Sequence, residues 1–124
     1  KLICLHGDAA LFEANKGSWL EALASYKHPV ILMAEGSNEG IISGSASAYY
    51  ALCKLLKISL LGIVQLGGQW NASERRCDGL PWCGMIPLGL LSKRNANADI
   101  QFFEDQQIKE TILILKRSLY ALNN

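Results

Sequence analysis

The sequence predicts an α/β fold: a partial doubly wound, mostly parallel sheet in a single domain spanning residues 1–124. Three observations predict it. Apolar runs without alternation at 30–34 (VILMA) and 59–66 (SLLGIVQL) read as strands covered on both faces, as parallel strands are. Between them Ala48, Leu52, Leu55 and Leu56 recur at helical spacing, which is the crossover that parallel strands require. Polar, glycine-rich elbows follow both runs, GSNEGIISG at 36–44 and Gly67-Gly68, where open α/β sheets bind their ligands.

Taken in order, residues 1–6 (KLICLH) are apolar and end at Gly7-Asp8, so they are expected to form a first, buried strand. Ser18-Trp19-Leu20-Glu21 fits a capping box, the Ser oxygen and the Glu carboxylate each satisfying an orphan N–H of a helix that runs to about Tyr26. Pro29 opens the next strand. Residues 69–81 are polar and turn-rich and are expected to be a surface loop; WCGMI at 82–86 is a short strand stopped by Pro87. The Asn-rich segment 92–99 is expected to be a loop. From about Asp105 the chain turns helical, with Ile108, Ile112, Leu115, Leu119 and Leu122 on one core-facing stripe. The order is therefore β-α-β-α-β-β-α, with no internal repeat and no linker. Its first strand would have an open edge, a hazard in a water-soluble sheet. A homodimer, an upstream segment or a partner chain is expected to cover it, and the chain is expected to be the C-terminal part of a longer unit.

Composition narrows the function classes. Half of the 124 residues are apolar, 19% are charged and the net charge is +1, so there is no electrostatic reason to expect nucleic acid or an anionic membrane as partner. The longest apolar run is too short to span a bilayer, and KLICL lacks the length and cleavage site of a secretory signal. Cys4 and Cys53 sit in apolar strand and helix patterns, while Cys77 and Cys83 flank a turn but form no CxxC and have neither His6 nor His28 near them in sequence, which leaves a zinc site without its usual spacing. Free thiols and a cytoplasmic location are the expectation. The Asn71-Ala72-Ser73 sequon carries little weight without a signal peptide.

The ordered motifs are more specific than any one of them. His6-Gly7-Asp8-Ala9-Ala10, Pro29-Val30-Ile31-Leu32, Ser37 to Ser43, Leu61-Gly62-Ile63-Val64-Gln65-Leu66 and Gly84-Met85-Ile86-Pro87 follow one another over about residues 1–90. This set resembles the C-terminal half of the dethiobiotin synthetase family, in the P-loop NTPase superfamily. The matching family motifs are a strand end like EGAGG, a PV(I/L)LV strand, a KLGxINH elbow, an LxGxVxN strand and a GxIP strand end.

The resemblance implies ATP- and Mg-dependent closure of a ureido ring from a diamino acid and CO2, in biotin biosynthesis, by a dimer. It implies substrate contacts at Gly40, Ile41, Ile42 and Ser43, nucleotide contacts at Leu66, Gly84, Ile86 and Pro87, and a metal contact at Asp8. The sequence departs from the family at the strand-end glutamate, here His6, and a neutral imidazole is a poor ligand for a hard cation. Ala9 and Ala10 stand where the family has glycines. The adenine-reading asparagine is Leu66, which offers no hydrogen bond. The elbow's asparagine and histidine fall at Ser43 and Gly44, and no GxxxxGK(S/T) loop occurs in the 124 residues.

Read from the residues alone, Gly40 to Ser43 is either an anion cradle at a helix start or an ordinary start capped by Ser37 or Asn38, with Glu39 opposing an anion. Asp8 is either a metal ligand or a turn residue, and His6 a packed histidine. Two functions follow: a synthetase-like domain completed by an upstream P-loop segment or partner chain, or a non-catalytic relative that serves in binding, dimerisation or regulation.

Overall fold

The computed structural model describes residues 1–88 and 98–124, the latter by backbone alone over 98–104. Its elements are α1 (Trp19–Tyr26), β1 (Val30–Glu35), α2 (Ser45–Leu55), β2 (Leu60–Leu66), α3 (Ala72–Cys77), β3 (Trp82–Ile86) and α4 (Ala98–Asn123). The three strands are all parallel, in the order β1-β2-β3. Leu32 pairs with Ile63, and Leu66 lies between Glu35 and Ile86. The α/β class and the alternation of parallel strands with helices are therefore as the sequence predicts.

The capping box is present. The Ser18 hydroxyl accepts from the Glu21 N–H at 3.2 Å, and the Glu21 carboxylate accepts from the Ser18 N–H at 2.7 Å, an arrangement that contributes about 1 kcal/mol to such a helix. Lys27 ends α1 in a left-handed conformation, φ 52°. Helices α1 and α2 lie on one face of the sheet. Leu20, Cys53 and Ile58 form the buried cluster there, with Leu23, Val30, Leu32, Tyr49 and Leu60 packed around it. Helix α4 packs along β3 and reaches β2. None of the described helices is long and apolar enough to cross a membrane.

Several expectations are corrected. Residues 1–6 are not a strand; Lys1 to His6 are exposed, Leu2 at 89%, and β1 is an edge strand of a three-stranded sheet. An apolar, β-favouring run forms a strand only against a partner ladder, and no described strand pairs with this one. Residues 69–81 contain α3, whose cap is Asn71: its Oδ1 accepts from the Ser73 and Glu74 N–H groups at 3.1 and 3.2 Å. The Asn-x-x-Glu signal for this start, Asn71 to Glu74, overlaps the sequon.

The stripe of α2 is rotated from the expected one. Ala46 and Cys53 are buried, Tyr49, Leu52 and Leu56 half-buried, and Leu55 is 76% exposed, so the inward arc runs through 46, 49, 53 and 56. Helix α4 starts at Ala98, which makes residues 98 and 99 helical; the rest of the expected 92–99 loop lies outside the described residues. The inward centre of α4 is Thr111; of the expected stripe Ile108 and Leu115 are half-buried, while Ile112, Leu119 and Leu122 are 44%, 38% and 46% exposed.

Candidate functional site

The C-terminal ends of the three strands gather the residues singled out from the sequence. Glu35-Gly36-Ser37, Leu66-Gly67-Gly68 and Ile86-Pro87-Leu88 meet there, stitched by Gly36 N–H to Leu66 C=O at 2.9 Å and Gly67 N–H to Ile86 C=O at 2.8 Å. Leu66, Ile86 and Pro87 are thus brought together at one edge. Gly84 is not with them: it lies within β3, where a Cβ would sit 2.1 Å from the Thr111 hydroxyl of α4.

The elbow is a closed turn centred on Ser37. The Gly40 N–H donates to the Ser37 carbonyl at 2.8 Å, the Ile41 N–H to Ser37 Oγ at 3.1 Å, and the Ser37 N–H to the Ile41 carbonyl at 3.0 Å. Gly40, at φ +82°, is buried so tightly that a Cβ would lie 2.2 Å from the Gln69 carbonyl oxygen. Helix α2 begins only at Ser45, with Gly44 as its N-cap residue. Ser43 supports that start, its hydroxyl accepting from the Ser45 N–H at 3.3 Å and its carbonyl from the Ala46 N–H at 3.1 Å. Gly40 to Ser43 is therefore not the first turn of a helix, and two of its four amides are already engaged. Neither Ser37 nor Asn38 caps α2; Ser37 closes the elbow upon itself.

Sequence reasoning passed over Gln65. It is fully buried at the end of β2, and its Nε2 donates to the carbonyls of Gly67 at 2.8 Å and Gln69 at 3.0 Å. Those bonds hold the turn against which Gly36 and Gly40 close. Its Oε1 is buried with no hydrogen-bond partner among the described residues, an arrangement that costs about 1–3 kcal/mol unless a donor arrives. A glutamine inside the apolar run LLGIVQL was the available signal.

Asp8 is an exposed turn residue whose Oδ1 accepts from the Ala10 N–H at 3.0 Å and from the Tyr49 hydroxyl of α2. The Tyr49 hydrogen bond first, and the Ala10 amide second, hold its carboxyl below the usual 3.8; the same bond, followed by desolvation, raises Tyr49 above 10.0. The residues around it do not fit a magnesium ion. Mg²⁺ is usually held by one or two carboxylates together with substrate phosphates. Here Asp8 belongs to no cluster of three or more His, Cys, Asp or Glu residues, since none occurs among the described residues, and its Oδ1 is already engaged by the Ala10 amide and the Tyr49 hydroxyl. His6 is exposed. The four cysteines are free thiols; burial pushes up the pKa of Cys53 and Cys83, which disfavours their thiolate forms.

The Asp8–Tyr49 contact gives a testable pH dependence. A carboxyl with a lowered folded pKa stabilises above its unfolded value and loses that contribution as pH falls through the folded value. Acid should therefore release the 8–10 turn from α2 only below about 3.8. Tyr49→Phe is expected to move the Asp8 titration midpoint back up toward 3.8, read from its carboxyl carbon shift by NMR. An unchanged midpoint would show that the tyrosine does not engage Asp8 in solution.

Comparison with known protein families, with curated proteins and with solved structures finds no match to this chain.

Proposed function

We propose that this chain is the C-terminal part of a dethiobiotin synthetase-like domain of the P-loop NTPase type. In this reading the complete unit closes a ureido ring from a diamino acid, CO2 and ATP, with Mg²⁺. The observation that carries it is the all-parallel β1-β2-β3 order, in which Pro29–Leu32 opens β1, the Ser37–Ser43 elbow follows it, Leu61–Leu66 lies in β2 and Gly84–Pro87 runs out of β3; only His6–Ala10 follows no strand. ATP bound to the complete unit would supply the phosphoryl group that activates the carboxylated substrate.

This chain's own contribution is positional. Leu66, Ile86 and Pro87 form a preset edge beside a nucleotide, and the Ser37 turn fixes the elbow where the substrate carboxylate would approach. The phosphate-binding loop comes from a preceding segment or a partner chain, which also covers the open edge of β1. Homodimerisation through that edge is the simplest alternative cover.

A second reading, a non-catalytic relative that binds, dimerises or regulates, is favoured by the internally satisfied elbow amides of Gly40 and Ile41. Calorimetry and the upstream coding sequence separate the two. The chain alone should bind MgATP no tighter than about millimolar, ~4 kcal/mol, because the N–H cradle and lysine that neutralise a triphosphate are missing. A GxxxxGK(S/T) loop should lie roughly a hundred residues upstream or in a co-purifying chain. Its absence from both would leave the second reading, and micromolar MgATP binding by this chain alone would overturn the division of labour.

A further inference from the structure

The sheet's other flank carries a cavity away from the C-terminal strand ends, sharing only Gly84 and Met85 with the motifs read from the sequence. It lies between β3 and α4, has a volume of about 200 Å³, and is lined by Trp70, Trp82, Gly84, Gln107, Glu110 and Ile114, among others. The two indoles stand edge to face, centroids 6.1 Å apart and planes at 79°.

Trp82 is a fixed wall. Its Nε1 donates to both Asp78 carboxylate oxygens at 3.0 and 2.8 Å, and the Arg75 guanidinium lies over its ring at 5.0 Å. That guanidinium does not line the cavity and is offset by two carboxylates, Glu74 at 3.5 Å and Asp78 at 3.6 Å. The one charged group on the lining is Glu110, which forms no ion pair with any described residue.

We propose that this cleft binds a small organic ammonium ion carried on an apolar or aromatic body. Indole faces attract cations more strongly than other aromatic side chains do. Trp70, Trp82 and Ile114 accept the apolar body, over a floor that Thr111 closes against Gly84. The Glu110 carboxylate and the Gln107 amide receive the ammonium N–H groups at the α4 rim. A volume below that of most drug-sized pockets limits the ligand to a compact molecule.

Phenethylamine and its anionic counterpart 3-phenylpropionate, titrated into the full chain, test this. The readout is the set of indole N–H resonances, with Trp19 on α1 as the internal control, since it lies outside the cleft. Phenethylamine is expected to shift Trp70 and Trp82 saturably, with a dissociation constant of about a millimolar, and to bind about tenfold more tightly than 3-phenylpropionate. Glu110→Gln should reduce the preference for the amine a few-fold, by weakening the amine and relieving the repulsion of the anion, with the spectrum of the rest of the fold unchanged. Trp70→Ala should abolish saturation at Trp82. Equal affinity for the two compounds, shifts at Trp19 as large as at Trp82, or no saturable shift at tens of millimolar would overturn the proposal.

Discussion

Gly68→Ala is expected to destabilise the protein by about 2–5 kcal/mol, a large share of the stability of an ordinary domain. Two independent costs add. Gly68 has φ +73°, and a side chain in the left-handed region costs about 1–2 kcal/mol. A Cβ there would also lie 2.1 Å from the Ser37 carbonyl oxygen and 3.0 Å from the carbonyl carbon and oxygen of Gly36. Those atoms are backbone and cannot swing away as a flexible side chain would, so relief requires the strand ends to part, at about 1–3 kcal/mol more. The junction gives little, because Gly36 N–H already bonds to Leu66 and Gln65 Nε2 holds the carbonyls on either side of Gly68. Urea denaturation should show the loss as a lower midpoint with an unchanged slope. Amide exchange should rise first at Gly40 and Ile41, whose protection depends on the Ser37 turn. A midpoint within experimental error of the original would mean that β1 and β2 do not close on each other as described.

The same junction shows what the sequence made legible. Strands β1, β2 and β3 could be read because continuous apolar runs bounded by Pro, Gly and polar segments have few other uses. The capping box of α1 could be read because Ser and Glu at that spacing satisfy each other locally. What could not be read depends on partners far away in sequence. Residues 1–6 carry strand character, yet strand formation is a property of a pair, and no local pattern supplies the ladder. The tight use of Gly36, Gly40 and Gly68 was legible only as a glycine-rich elbow, which in this fold class reads equally well as a ligand cradle and as a close crossing of two backbones. Ser37 engages the Gly40 and Ile41 amides while Gln65 Nε2 holds the Gly67 and Gln69 carbonyls, so at those groups the elbow serves the crossing. Thr111 was missed for a related reason. A binary apolar pattern discards threonine, whereas the contact it makes is set by the missing side chain of Gly84 on the facing strand.

That contact yields the second large effect. Gly84→Ala is expected to cost about 2–4 kcal/mol and to loosen α4 from the sheet. The added Cβ would lie 2.1 Å from Thr111 Oγ1, 3.0 Å from its Cβ and 3.3 Å from its Cα, at a strand position with φ +140°. Overpacking of this kind costs about 1–3 kcal/mol, and the backbone conformation adds to it. The Thr111 hydroxyl cannot simply rotate clear. It is 2% exposed and shares its proton between the carbonyls of Met85 at 3.2 Å and Gln107 at 2.8 Å. Displacing it would leave the Met85 carbonyl without that partner in a buried setting, a further loss of about 1 kcal/mol. Thr111→Ala alone should cost about 1 kcal/mol by the same argument. Combined with Gly84→Ala it removes the worst overlap, leaving the approaches of 3.0 Å to Cβ and 3.3 Å to Cα. The double variant should therefore be more stable than the sum of the single losses predicts, by about 1 kcal/mol or more, within the range of coupling seen for residues in contact. Strict additivity would show that α4 does not seat Thr111 on Gly84, and the α4 flank of the sheet, together with its tryptophan-lined cleft, would then have to be redrawn.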